Sequence, residues 1–243
     1  RYLTRLQQHL SPSPITVMQS SGGTIDAGQA ARRAVNMLLS GPAGGLAAAR
    51  FIGTKTGQYR LMTFDMGGTS SDVALIDGDI QLTNEGSIGH YPVAVPMVDM
   101  HSIGAGGGSI ASIDAGGLLQ VGPASAGAEP GPACYGRGGL QATVSDANAV
   151  LGRLRPDALL GGTMQLDIDA ARAAIQGIAA GLDLDIETTA LGILQIANEH
   201  MARALRVISV QRGHDPAAFS LCCFGGAGGL HVCALAEELE MSK

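Results

Sequence analysis

The chain has 243 residues, 46% of them hydrophobic and only 15% charged, with a net charge of −6. The hydrophobic share excludes disorder as the overall state. An acidic chain with scattered Lys and Arg and 3% aromatics lacks the cationic stripe and stacking platforms that a nucleic-acid partner requires.

Glycine is the outlier at 36 residues, about twice ordinary usage, so many turns and close backbone approaches are expected. In chain order, Ile15-Thr16-Val17-Met18 is predicted as a short buried strand, followed by a helix from Asp26, its N-cap, to Leu39. Ser40-Gly41-Pro42 restarts a helix that Gly53 ends. Arg60 to Phe64 is a strand, and Ser71 to Ile76 is another, turned by Asp77-Gly78 into Asp79 to Thr83. Val93 to Ile103 alternates as one strand and meets Gly104-Ala105-Gly106-Gly107-Gly108. Ser109 to Asp114 and Gly117 to Val121 form a second hairpin. Pro123 to Gly139 is a long loop, of the kind that is usually functional. Helices are predicted over Asp146 to Leu154, Asp169 to Leu182 and Thr188 to Val210, then a strand over Ser220 to Phe224 and a helix from near Leu230. Local hairpins followed by helices predict an α/β fold: a mixed sheet with antiparallel hairpins and packed helices.

Ala217 to Ala236 has the apolar content of a membrane span, but the glycines at 225–229 break it, so no membrane partner is expected. The four cysteines contain no Cys-x-x-Cys pair, and a disulfide between the adjacent Cys222 and Cys223 would be strained. Free thiols in a reducing cytoplasm follow. Arg1-Tyr2-Leu3-Thr4-Arg5-Leu6 is no signal-peptide core, and the chain begins without Met and stops at Lys243 within a helix-like pattern. A fragment of a longer protein is the expectation.

The strongest chemical signal is Phe64-Asp65-Met66-Gly67-Gly68-Thr69-Ser70-Ser71-Asp72. A strand delivers Asp65 at its end, where it can hold Mg²⁺ through water or orient a nucleophile. Gly67 and Gly68 let the backbone turn so that N–H groups point at an anion, and Thr69, Ser70 and Ser71 add hydroxyls. It is not a Walker loop, since no Lys follows the glycines and a strand comes next. The second signal is Phe224-Gly225-Gly226-Ala227-Gly228-Gly229-Leu230-His231, where bare backbone can approach a nucleotide or a helix can pack tightly on a strand.

These strings resemble the hydantoinase A/5-oxoprolinase family, whose members are ATP-dependent cyclic-amide hydrolases and related subunits of ketone carboxylases. The resemblance continues through Leu39 to Gly45, Asp99 to Ala111, Ala126 to Gly136, Ser145-Asp146-Ala147-Asn148 and Gln211 to Pro216. Two departures are Gly229 where the family usually has Pro, and Ser71 where it commonly has Thr. The implied fold is the actin-like, sugar-kinase-like ATPase fold, built on ribonuclease-H-like halves. Family members carry another Asp-x-Gly-Gly-Thr loop in an N-terminal region. The Asp65 loop is therefore expected to be the second of a pair, and residues 1–243 a core domain holding half of the cleft and inactive alone.

The resemblance implies ATP and Mg²⁺ as cofactors and a cyclic amide of hydantoin or 5-oxoproline type as substrate, activated by phosphorylation of its amide oxygen. Asp65 would serve the metal or the attacking water, and Gly67, Gly68, Thr69 and Ser70 the phosphates. Gly225, Gly226 and Gly228 would approach the nucleoside. Asp99 and His101, two apart on the predicted strand, would face one side near the substrate or a metal. A hydantoinase B-type partner subunit and an oligomer are also implied. Two alternatives stay open: a ketone carboxylase subunit using the same half-site, and a non-catalytic nucleotide switch. The Asp99–Ala111 and Pro123–Gly139 segments speak against the switch. No spacing rule places His90 or Cys134 in a metal cluster, and Cys134 has no neighbouring base in sequence.

Overall fold

The computed structural model describes residues 2–88, 91–157 and 164–242, so His90 lies outside the described residues. In chain order the first elements are α1 (Tyr2–Leu10), β1 (Thr16–Met18), β2 (Thr24–Asp26), α2 (Ala27–Arg32), α3 (Ser40–Thr56), β3 (Arg60–Met66) and β4 (Ser71–Asp77). Short strands follow: β5 (Asp79–Ile80), β6 (Leu82–Thr83), β7 (Gly86–Ile88), β8 (Tyr91–Val93), β9 (Met97–Val98) and β10 (Met100–Ile103). The hairpin β11 (Ser109–Ile113) and β12 (Leu119–Ser125) precedes α4 (Val144–Val150), α5 (Ile168–Leu182), α6 (Ile186–Ile208), β13 (Ser220–Phe224) and α7 (Val232–Glu238).

The central sheet runs β10-β4-β3-β13, with β5 extending the β4 hairpin. β10, β4 and β3 form an antiparallel meander, and β13 lies parallel to β3 on its other side. This mixed sheet fits the expected ribonuclease-H-like half. Both faces of β3 and β4 are buried, because alternate residues feed two cores. Met62, Phe64, Met66, Val73 and Leu75 pack on Ile193, Leu194, Met201, Leu205 and Ile208, the apolar stripe of α6. On the other face Leu61, Ala74 and Ile76 meet Ala43, Leu46 and Ala49 of α3. The result is a helix–sheet–helix sandwich whose strand ends are left to build a site.

The expected helix to Leu39 ends at Arg33, and a 3₁₀ turn covers Ala34–Met37. Buried Ser20 explains the break. Its N–H and hydroxyl donate to the Asn36 carbonyl (2.7 and 2.8 Å), and its hydroxyl also donates to Leu38 O. Gly53 does not stop α3 but lies inside it, because a Cβ there would strike the Gln58 carbonyl and Leu61. The stop is Gly57 at φ 72°. The single strand expected over Val93–Ile103 is three short ones, since β8 pairs with β7, β9 with β6 and β10 with β4. The apolar stretch Ala217–Ala236 divides into a turn, β13, the glycine cluster and α7. Among the described residues no helix is long and apolar enough to cross a membrane.

Candidate functional site

Asp65, one residue before the end of β3, sits directly across from Asp72 of β4, and Asp72 in turn faces Ser102 of β10. Ser102 Oγ donates to Asp72 Oδ1 at 2.5 Å, while the Asp65 carboxylate accepts no hydrogen bond among the described residues. Burial, and secondarily the charge of Asp72, push the Asp65 carboxyl above its ordinary range. Two half-buried carboxylates side by side favour a cation that would relieve both.

The chain then turns through Gly67–Ser70, closed by Gly67 N–H donating to Ser70 O at 3.0 Å. Gly68, Thr69 and Ser70 are exposed, whereas Ser71 is buried and its hydroxyl donates to Ala105 O at 2.7 Å. That bond brings in the second glycine segment. Gly107 N–H donates to Gly67 O at 3.0 Å and Gly108 N–H to Gly68 O at 2.6 Å. A Cβ on Gly106 would lie 2.7 Å from Gly68 C and Thr69 N, so only glycine permits this backbone-on-backbone contact. The third segment arrives on β13, where Phe224 is in register with Asp65. Ala227 N–H donates to Met66 O at 2.9 Å. Gly225 adopts φ 82° beside Asp65, in a space that a side chain would share with the carboxylate and Met66 O.

The three segments enclose a cavity of about 320 Å³ lined by Gly67, Gly68, Gly107, Gly226 and Ala227 on the backbone side. Tyr135, Arg137, Ser145, Leu154, Met164 and Leu230 complete it. The lining suits a nucleotide polyphosphate: glycine backbone at Gly67, Gly68 and Gly226, hydroxyls at Tyr135 and Ser145, and an apolar wall at Leu154 and Leu230, with the exposed Thr69 and Ser70 next to it in the same turn. It also suits Mg²⁺, which is typically bound by one or two carboxylates plus phosphate oxygens and water. Among the described residues no group of three or more His, Cys, Asp or Glu forms a metal cluster, so Asp65 and Asp72 are the carboxylates at hand.

Of the expected site residues, Gly67, Gly68 and Gly226 line the cavity, while Asp65, Thr69, Ser70 and Gly225 adjoin it in the same segments without lining it. Gly228 is buried beneath them, with a Cβ position 3.5 Å from Cys223 and 3.6 Å from Phe64 O, and serves close packing. Asp99 and His101 do not line the cavity. Asp99 lies before β10, and Arg212 Nη1 and Nη2 donate to its two carboxylate oxygens at 2.5 and 3.3 Å. His101 is in register with Val73, on the α6 side of the sheet. A larger cavity of about 510 Å³, lined by Ile103, Gly104, Leu119, His200 and Arg203, contains none of the expected site residues.

Tyr135, Arg137 and Ser145 also line the cavity, and the sequence motifs did not single them out. Their signal was present, since Tyr135 and Ser145 lie in the strings that carried the resemblance and Arg137 immediately follows one, between two glycines. Asp146 anchors the two segments that carry these three residues. It is fully buried and accepts from Cys134 N–H (2.7 Å), Ala133 N–H (3.3 Å), Thr143 N–H (2.9 Å) and the Thr143 hydroxyl (2.7 Å). The Thr143–Asp146 capping box starts α4, and the same carboxylate holds the base of the Tyr135 turn. Burial first and Asp146 second push the Cys134 thiol far up, which leaves it a poor nucleophile.

Behind the cavity, fully buried His231 follows Leu230. Its Nδ1–H donates to Asn198 Oδ1 at 2.7 Å, and its Nε2 accepts from Asn148 Nδ2 at 3.4 Å. This pairing suits a neutral ring, and burial with the nearby Arg153 charge lowers its pKa to about 4.

The hydantoinase/oxoprolinase family model matches residues 1–243. The caprolactamase alpha subunit of Pseudomonas jessenii is 42% identical over 245 residues, covering 98% of this chain and 35% of that protein. The crystal structure of the ATP-dependent caprolactamase from the same organism has a TM-score of 0.85 at 41% identity, over 99% of this chain and 36% of that one. 5-Oxoprolinase 1 of Arabidopsis thaliana is 35% identical over 261 residues, all of this chain and 20% of that protein. A nucleotide-free acetone carboxylase structure has a TM-score of 0.87 at 33% identity, over 98% of this chain and 34% of that one. The chain therefore spans between about a fifth and about a third of the length of these relatives.

Proposed function

Since this chain belongs to the hydantoinase/oxoprolinase family, we propose that it forms one wall of an ATP site in an enzyme that opens a cyclic amide of hydantoin or 5-oxoproline type. The observation that carries the reading is the convergence of three glycine segments on one cavity beside the Asp65–Asp72 pair. In this reading Gly68 and Thr69 N–H groups and the Thr69 and Ser70 hydroxyls bind phosphate oxygens. Gly226 leaves room for the nucleoside, and Leu154 and Leu230 keep water from it. Asp65 and Asp72 would hold Mg²⁺, which would supply charge neutralisation for the polyphosphate. The amide oxygen takes the terminal phosphoryl group and ADP leaves; water then adds to the activated carbon, the ring C–N bond breaks with the nitrogen taking up a proton to leave an acyl phosphate, and a second water hydrolyses this to the ring-opened acid and inorganic phosphate. The protein's contribution is alignment and charge, with no covalent intermediate of its own.

The relatives that are named as subunits support a hydantoinase B-type partner and an oligomeric enzyme. Four free cysteines agree with a reducing cytoplasm. A second reading, a ketone carboxylase subunit, is favoured by the TM-score of 0.87 to acetone carboxylase. Asp99, held by Arg212, and His101 would act on substrate only from outside this cavity, so their assignment rests on the surrounding Asp99–Ala111 segment. The test is phosphate release by the full-length protein with its partner subunit, screened against 5-oxoproline, hydantoin, caprolactam and small ketones. ATP consumption coupled to ring opening is the expected result. Coupling to a ketone alone selects the second reading, and turnover indifferent to every compound overturns both.

A further inference from the structure

The phosphate loop has no lysine, and its donors are neutral N–H groups and hydroxyls. A bound polyphosphate carries several negative charges and sits beside two carboxylates, so the site as built from the three glycine segments is short of positive charge. Among the described residues that line the cavity, Arg137 is the one charged side chain. It is exposed, and among the described residues it makes no ion pair.

Its mounting is specific. Gly136 at φ 64° and Gly138 at φ 91° flank it, so the tip turns through left-handed backbone on both sides. The base of the loop is fixed. Gly139 packs against the Gly131 carbonyl, where any Cβ would collide, and Asp146 holds Ala133 and Cys134 by their N–H groups. A rigid base and a glycine-flanked tip present a guanidinium at the cavity on a short, closed loop. Guanidinium is the side chain best matched to phosphate oxygens, which it grips in a bidentate fork.

We propose that Arg137 is the polyphosphate-binding cation of this site, supplied by the Gly131–Gly139 loop in place of a phosphate-loop lysine. The inference rests on the nucleotide reading above and adds a residue to it. The test is calorimetric titration of the full-length protein with ATP, ADP, AMP and adenosine, for the wild type, Arg137→Gln, Arg137→Lys and Gly68→Val. Arg137→Gln should weaken ATP by about 10- to 100-fold while leaving adenosine unchanged, and Arg137→Lys should recover part of the loss. Wild-type ATP affinity in Arg137→Gln, with Gly68→Val still blocked, overturns the inference and spares the nucleotide reading. An equal loss for ATP and adenosine also overturns it, because a structural role would act on both. A wild-type protein that binds none of the four removes the nucleotide reading itself, and the inference with it.

Discussion

Asp65 and His231 illustrate opposite uses of burial at the level of single residues. Asp65 is held ionisable next to Asp72, an arrangement that costs stability in the absence of a cation. Asp65→Asn removes the repulsion and the metal charge together. We expect turnover to fall by roughly 100-fold or more while the melting temperature holds or rises. Near-normal ATP-dependent turnover in that variant would remove Asp65 from the mechanism. His231 is held neutral, with a pKa of about 4 against an ordinary 6.5. Its folded-state value lies below the unfolded one, so between those pH values the unfolded chain binds the extra proton. Stability therefore falls as pH falls through that window, by up to about 3 kcal/mol from this group. Unfolding free energies of wild type and His231→Gln, compared from pH 6.5 down to 4.5, should show a shallower slope in the variant; identical slopes would count against a buried neutral ring.

At the level of elements, the glycines separate into two kinds that sequence does not distinguish. Gly68 has no positive φ and nothing within 4 Å of its Cβ position, so it is free to accept a side chain as far as the fold is concerned. Gly106 is pressed against the Gly68–Thr69 backbone. Gly68→Val should leave thermal stability nearly unchanged and block nucleotide binding by filling the cradle. Gly106→Ala should cost about 1–3 kcal/mol and distort the loop. Melting curves and nucleotide titrations on the two variants check this, and the reverse pattern would mean the cradle is misassigned. The strand ends and the loop after β3 were legible because Arg60–Phe64 and Ser71–Ile76 are apolar runs bounded by turn residues. The break of α2 was not, because the Ser20 bonds that take the Asn36 and Leu38 carbonyls come from sixteen and eighteen residues away. The pairing of Asp99 with Arg212 was equally hidden, since 113 residues separate them.

For the whole molecule, the sequence disclosed the layers better than the order of strands. Periodicity along Asp169–Leu182 and Thr188–Val210 marked α5 and α6 to within two residues at each end. The split of Val93–Ile103 among three partners depends on what each strand meets in space, which alternation cannot encode. The site was half legible: the backbone cradle came from its glycines, but Arg137 and Ser145 reach the cavity through folding of distant loops. Phosphoryl transfer needs donors and metal ligands on both sides of the phosphate, and the described cavity supplies one wall. Residues 1–243 expressed alone should accordingly show no useful ATP hydrolysis. Robust activity from that piece, lost in Asp65→Asn, would show that one wall suffices.

The seam formed by Gly106, Gly107 and Gly108 against Gly67 and Gly68 also limits how such a site can diversify. By composition it looks like a pliant linker, yet a methyl group at Gly106, Gly107 or Gly108 would come within 3 Å of a neighbouring atom. Backbone closes Gly106 and Gly108 to drift and to most tinkering by an engineer, whereas Gly107 meets the Ser145 hydroxyl, which can give way. Novelty in what the cavity accepts has to be written on the residues that reach in from outside the seam, such as Tyr135, Arg137, Leu154 and Met164. Libraries aimed at a new ligand should randomise those four and leave the glycine seam untouched.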